Sequence, residues 1–265
     1  MVKKPFRKIY IVLLYVFLYA PIVVLIIFSF NNSKLRGNWD GFTFRWYFQL
    51  FKDRYILKSL YYTITIAILS SIISTVIGTI SALGIYNMKS IKKKIVLNIN
   101  YLPVLNPDIV TGIALMTLFI FLKMKLGFMT MLLAHITFNI PYVILAVLPK
   151  LKQLPKDIIE AALDLGATPV LAFKKVILPE IKPGVITGAL IAFTLSIDDF
   201  VISFFTTGSG VTNLSITIYS MARRGINPKI NALSSLMFLS VLVLLVLINK
   251  RTSNKREDVF INEKN

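Results

Sequence analysis

The sequence predicts an all-α integral membrane protein with about six transmembrane helices. Three observations carry that expectation. Of its 265 residues 56% are hydrophobic, and the mean hydropathy is +0.73, above what soluble domains reach. The apolar residues fall in runs of about 20, the length a helix needs to cross a bilayer. The formal charge of +18 is concentrated between those runs. No basic face with interleaved aromatics occurs, so a nucleic-acid function is set aside. There is no cysteine, which removes disulfides, thiol chemistry and Cys-based metal sites.

The first expected span, 9–30, follows MVKKPFRK. It is longer than a signal-peptide core, and FSFNNS offers no small-residue cleavage site, so an uncleaved helix is predicted. The second, 60–86, is the clearest, because Ser59 to Met88 holds no charged residue. Within it Ser70, Ser74 and Gly78 recur one turn apart, which permits close helix packing. The remaining spans are expected at 101–122, 128–148, 183–205 and 231–249. The third and fifth contain aspartate, and in the third Pro103 and Asn106-Pro107 interrupt the helix. The resulting plan is an N-terminus 1–8, one transmembrane domain 9–249 and a polar, loosely ordered tail 250–265. No internal repeat stands out.

Lysine and arginine set the orientation. With the N-terminus inside, the segments 1–8, 87–100, 149–182 and 249–265 hold 19 of them, and 31–59, 123–128 and 206–230 hold 11. That bias favours both termini in the cytoplasm. The outer segment 31–59 carries Phe42, Phe44, Trp46 and Tyr47, which suit an interfacial helix at the lipid headgroups and also a docking surface for an external protein.

The inner segment 149–182 is not a linker. Asp157 begins a helical run with Ile158, Ala161, Ala162 and Leu165 on one face, and Gly166 ends it as a C′ glycine would. Thr168-Pro169 then starts another helix, with Val170, Phe173, Val176 and Ile177 on its apolar face and Pro179 closing it. Two short amphipathic helices outside the bilayer need a partner for their apolar faces.

The spacing Glu160-Ala161-Ala162, then Gly166, then Val176-Ile177-Leu178-Pro179 resembles the cytoplasmic signature of type-I ABC importer permeases, with valine where isoleucine is usual. NPDIVTGIAL (106–115), LGFMTMLLAHITFNIPYV (126–143), FTLSIDDFVISFFTTG (193–208) and IYSMARRGINPKINALSS (218–235) are similar to the polyamine-transporting members of that family. The resemblance implies a cytoplasmic ATPase dimer that binds ATP and Mg, a second and different permease, and an external polyamine-binding protein. It also implies residence in the bacterial inner membrane. Glu160, Ala161, Ala162, Asp164, Gly166, Leu178 and Pro179 then become the ATPase-coupling positions.

No catalytic or metal site is expected in this chain, and no cofactor of its own. A Walker A motif is absent, since GSGVTN (208–213) lacks its lysine. The single histidine, His135, reads as an interhelical hydrogen bond. Asp198 and Asp199 are adjacent on a helix and diverge by about 100°, so they cannot act as a hydrolytic pair on one atom. On one continuous helix Ser196, Asp199, Ser203 and Thr207 would form a polar stripe, with Thr187, Thr194 and Asp198 beside it. Such a wall lines a cation path, because acids at low dielectric focus cations and repel anions. Asp108, beside the prolines, and Tyr219 join it as cargo-path candidates. The alternatives are that an aspartate pairs with Arg223 or Arg224, that another solute is carried, or that the chain works alone as a secondary transporter.

Overall fold

A computed structural model describes residues 4–33, 38–155, 157–225, 228–243 and 246. The helices are α1 Lys4–Phe28, α2 Arg45–Lys52, α3 Arg54–Tyr86, α4 Ser90–Leu105, α5 Asp108–Phe121 and α6 Phe128–Gln153. There follow α7 Asp157–Asp164, α8 Pro169–Asp198, α9 Val201–Thr206, α10 Leu214–Arg223 and α11 Pro228–Val243. Among the described residues there is no strand, only an isolated antiparallel bridge from Asn31 to Phe42. The chain forms two compact units, one within residues 1–57 and 217–265, the other within 58–216.

Among the described residues four helices are long and apolar enough to cross a membrane: Lys8–Phe28, Arg54–Tyr86, Phe128–Gln153 and Pro169–Asp198. The expected third span is not one straight helix. It starts earlier, at Ser90, and α4 and α5 meet at an angle of 106°. Pro107 causes the break. It lacks an N–H, and its ring drives Asn106 to the extended values φ −76°, ψ 146°. Pro103, one turn earlier, stays inside α4. The expected sixth span falls partly on α11; its end and the tail 250–265 lie outside the described residues.

In the first unit, the loop after α1 folds back on itself. The Thr43 amide donates to the Phe30 carbonyl at 2.7 Å, and the Trp46 Nε1–H donates to the Asn31 carbonyl at 2.7 Å. Trp46 is thereby buried, contrary to a place on an exposed aromatic belt. Phe42 and Phe44 are exposed as expected, and Phe48 and Phe51 of α2 join them. The rings of Phe30, Phe42, Phe44 and Tyr47 cluster around the bridge. Asp53 starts α3: its Oδ1 accepts from the Tyr55 amide at 3.0 Å, and its carboxylate pairs with Lys229 at the head of α11.

In the second unit α6 is the most enclosed helix. Its Val143, Val147 and Leu151 pack with Ala82 and Ile85 of α3 and with Ile177, Ile181 and Ala192 of α8. Lipid is as apolar as leucine, so burial alone does not hold such helices together; close van der Waals contact does. Glycines supply the closeness. A Cβ on Gly78 would lie 2.7 Å from the Val143 side chain, and one on Gly188 would lie 3.2 Å from its Cα. Gly184, one turn before Gly188, faces the Ala146 carbonyl in the same way. Val143 is therefore gripped from two helices.

The glycine contacts and the Asp53–Lys229 pair are each open to substitution. Gly78→Ala overpacks the α3–α6 contact and destabilises the assembled complex by about 1–3 kcal/mol in thermal unfolding; Gly84→Ala on the same helix meets open space and does not. The second concerns pH. Partial burial pushes the Asp53 carboxyl up, but Lys229 and the amides of Ile56 and Tyr55 outweigh it and hold the group below the usual carboxylate range. A depressed carboxylate contributes stability that is present above the unfolded value, about pH 4, and lost as pH falls through the folded one. Lys229→Gln should thus lower Tm by up to about 3 °C at neutral pH, with the difference from wild type closing in acid below that window.

Candidate functional site

The fifth span does not run straight through its acids. α8 ends at Asp198, Asp199 leaves the helix at φ −59°, ψ 125°, and α9 begins two residues on. Aspartate is a poor interior helix residue because its carboxylate competes for backbone amides. Asp199 does this: Oδ1 accepts from the Ile202 amide at 3.1 Å and Oδ2 from the Ser203 amide at 2.7 Å. The carboxylate thereby satisfies two of the open N–H groups at the start of α9, where negative charge is favoured. The expected stripe Ser196–Asp199–Ser203–Thr207 is therefore not one helical face.

The break is closed by other side chains. Asn213 donates from Nδ2 to the Asp199 carbonyl at 2.9 Å and to Ser203 Oγ at 2.8 Å. Its Oδ1 accepts from the Ile216 amide at 2.9 Å, which caps α10. His135 of α6 places Nε2 2.9 Å from Ser203 Oγ and 3.6 Å from Asp199 Oδ2. Ser203 and His135 are buried, and the Asp199 side chain is 8% exposed. Asp199 thus meets His135 and Asn213.

One turn along α6, Asn139 Nδ2 donates to Ser196 Oγ at 2.8 Å, and Ser196 Oγ lies 3.0 Å from Ser70 Oγ of α3. Ser196 is 2% exposed. Expected as a cargo contact, it is instead used up joining α3, α6 and α8. His135 Nδ1 and Asn139 Oδ1 are buried without a hydrogen-bond partner.

Asp198 and Asp108 stand differently. Asp198, the last residue of α8, is exposed, and its carbonyl accepts from Ser215 Oγ at 3.2 Å. A negative charge at a helix C-terminus faces the negative end of the helix dipole, unlike the Asp199 carboxylate at the start of α9. Asp108, also exposed, is the first residue of α5 after the Pro107 bend, within electrostatic reach of Tyr142. α5 packs on α9 where Gly112 meets Val201 and Phe205: a Cβ on Gly112 would lie 3.4 Å from the Val201 carbonyl. The two acids are four and three residues from that contact. Tyr219 belongs to the other unit; it is 42% exposed, with the Arg223 guanidinium 5.9 Å from its ring centroid. Among the described residues no group of three or more His, Asp or Glu is placed to hold a metal.

The loop 157–179 has its own local logic. α7 ends in a Schellman turn: Gly166 N–H bonds the Leu163 carbonyl and Ala167 N–H the Ala162 carbonyl. Gly166 sits at φ +82°, which favours a residue without Cβ. Thr168 caps the next helix by accepting from the Leu171 amide at 3.3 Å, with Pro169 in the first turn. Glu160, Ala161 and Asp164 are exposed, Ala162 and Leu178 are half-buried, and Leu165 is 90% exposed beyond the helix end. Pro179, exposed, does not close the helix. A π turn over Phe173–Ile177 widens the coil ahead of it, and α8 runs on to Asp198.

Comparison with known proteins adds the relatives. The chain is 38% identical over 233 residues to the spermidine/putrescine transport system permease protein PotC of Escherichia coli K12, covering 88% of each. It is 38% identical over 244 residues to the putrescine transport system permease protein PotI of the same organism, covering 89% of this chain and 86% of that one. The fold matches a bacterial alginate ABC transporter with a TM-score of 0.71 over 95% of this chain and 94% of that one, at 17% identity. It also matches the MetNI methionine ABC transporter with a TM-score of 0.58 over 73% and 91%, at 21% identity. The model of the binding-protein-dependent transport system inner membrane component family matches residues 74–250. The chain, an all-α membrane permease, belongs to that family.

Proposed function

We propose that the chain is a membrane-spanning permease subunit of an ATP-driven polyamine importer, carrying spermidine or putrescine through a path it shares with a second, different permease. Its termini lie in the cytoplasm of a bacterial cell, and a soluble polyamine-binding protein delivers cargo from outside. ATP and Mg are bound and turned over in a separate ATPase dimer, and this chain performs no catalysis. The exposed residues Glu160, Ala161 and Asp164, bent by the Gly166 turn, face that dimer, with Leu178 and Pro179 farther along α8, just past its π turn.

The observation that carries the cargo reading is that Asp108 and Asp198 are exposed acids at broken ends of apolar helices in the same unit. A polyamine carries ammonium groups separated by methylenes. Carboxylates in an apolar setting attract the first, and apolar side chains tolerate the second. Two relatives named for polyamine transport, from two transport systems, support the same cargo class.

The mechanism divides the acids. Asp199 spends its charge on backbone amides and holds the break. Asp198 and Asp108 offer theirs to the cargo. The cargo acid shares one continuous helix with the second half of the coupling loop: α8 runs from Pro169, past the Gly166 turn, to Asp198 at the break, so motion at that end of the loop is passed along its axis.

Labelled spermidine and putrescine uptake by the reconstituted complex, with ATP hydrolysis followed alongside, tests the reading. Asp198→Asn should cut uptake about tenfold or more, the loss of one charge-assisted hydrogen bond of ~1.5 kcal/mol or above, in a complex that still assembles. Unchanged uptake kinetics would overturn it.

A further inference from the structure

We infer that His135 and Asn139 of α6 are positioning residues that clamp the two sides of the α8–α9 break and so fix where the Asp198 carboxylate points. The inference rests on the reading of Asp198 as a cargo contact. His135 lies on the buried face of a helix that is itself enclosed, 1% exposed, so it cannot touch cargo. Its only route to the path is through what it holds.

The geometry shows what that is. On the α9 side, His135 Nε2 meets Ser203 Oγ at 2.9 Å, and the Ser203 amide is one of the two donors on Asp199. On the α8 side, Asn139 Nδ2 meets Ser196 Oγ at 2.8 Å, two residues before Asp198. The two α6 residues are four apart, one turn on the same face, and they bond Ser196 before the break and Ser203 after it. Asn213 fills the gap from the far side, bonding both Ser203 Oγ and the Asp199 carbonyl.

Proton accounting adds a directional element. Asn213 donates to Ser203 Oγ, so a neutral imidazole can bond that hydroxyl in either tautomer. Only the form with the proton on Nε2 also turns it toward Asp199 Oδ2, 3.6 Å away. In that form His135 supports the carboxylate that caps α9, and Asp199 stays on its amides rather than swinging toward a passing cation. Asp198 is then the one of the adjacent pair presented to the cargo.

The test uses the full complex with its second permease, ATPase and binding protein, reconstituted in vesicles. The readout is spermidine moved per ATP hydrolysed, normalised to assembled complex. A clamp that positions a cargo acid predicts that His135→Leu lowers this ratio about tenfold, that His135→Gln, which keeps a donor near the Nε2 position, restores it to within about threefold, and that His135→Leu adds nothing to Asp198→Asn. Loss of stability alone lowers uptake and hydrolysis together and leaves the ratio unchanged, which overturns the inference, as does an additive double variant. If His135→Leu does not assemble, Ser203→Ala removes the same link with less disturbance and is read by the same ratio. Should Asp198→Asn itself leave uptake unchanged, the cargo reading fails; should it cut uptake while His135→Leu and Ser203→Ala do not, only the clamp fails.

Discussion

Backbone groups inside an apolar run have no water to bond to, and the second unit is organised around the place where a helix stops in one. Ending α8 at Asp198 leaves carbonyls open on one side of the break and amides open on the other. Asp199 takes the Ile202 and Ser203 amides, and Asn213 takes the Asp199 carbonyl. Ser203, His135 and Asn139 then tie these groups to α6. Remove that set and the stop is no longer favourable: either the helix continues through Asp199 or polar groups are left bare at a cost of about 1–3 kcal/mol each. The break in turn decides which acid is presented and which is spent.

The rest of the unit keeps α6 in place for that task. Packing in lipid has little hydrophobic drive, so it relies on closeness, and Gly78, Gly184 and Gly188 give α3 and α8 close access to Val143 and Ala146. The apolar grip at Val143 lies one turn beyond Asn139 on the same helix. Polar contacts at one end of α6 and small-residue contacts toward the other share a single rigid element. α8 links this core to the outside, running without interruption from the exposed loop through the π turn to the acids.

Much of this was legible in the sequence, for physical reasons that can be named. Helix stops written in residue chemistry came through: Gly166 at positive φ, Thr168 as a cap and Pro107 as a break are where their side chains put them. What failed was the assumption of continuity. The 183–205 run is apolar enough to read as one span, and helical spacing computed across Asp199 put Ser196, Asp199 and Ser203 on a shared face. Local propensity argues for a stop there, since aspartate competes for amides, but the choice between stopping and continuing is made by residues far away in sequence. Asn213 and His135 supply it, 14 residues after and 64 before Asp199. Pro179 misled in the opposite sense: a π turn upstream lets the helix pass a proline that normally ends one. Trp46 looked like an interfacial anchor from its neighbours, but a hydrogen bond to Asn31 turns it inward.

A helix break divides the labour between two adjacent carboxylates. The most direct measurement is an experimental structure of the assembled importer with spermidine trapped in its path. A cargo nitrogen is expected within about 3 Å of the Asp198 carboxylate, while the Asp199 carboxylate remains on the Ile202 and Ser203 amides. A cargo nitrogen on Asp199, with the cap of α9 opened and the helix continuous through it, would rule that division out.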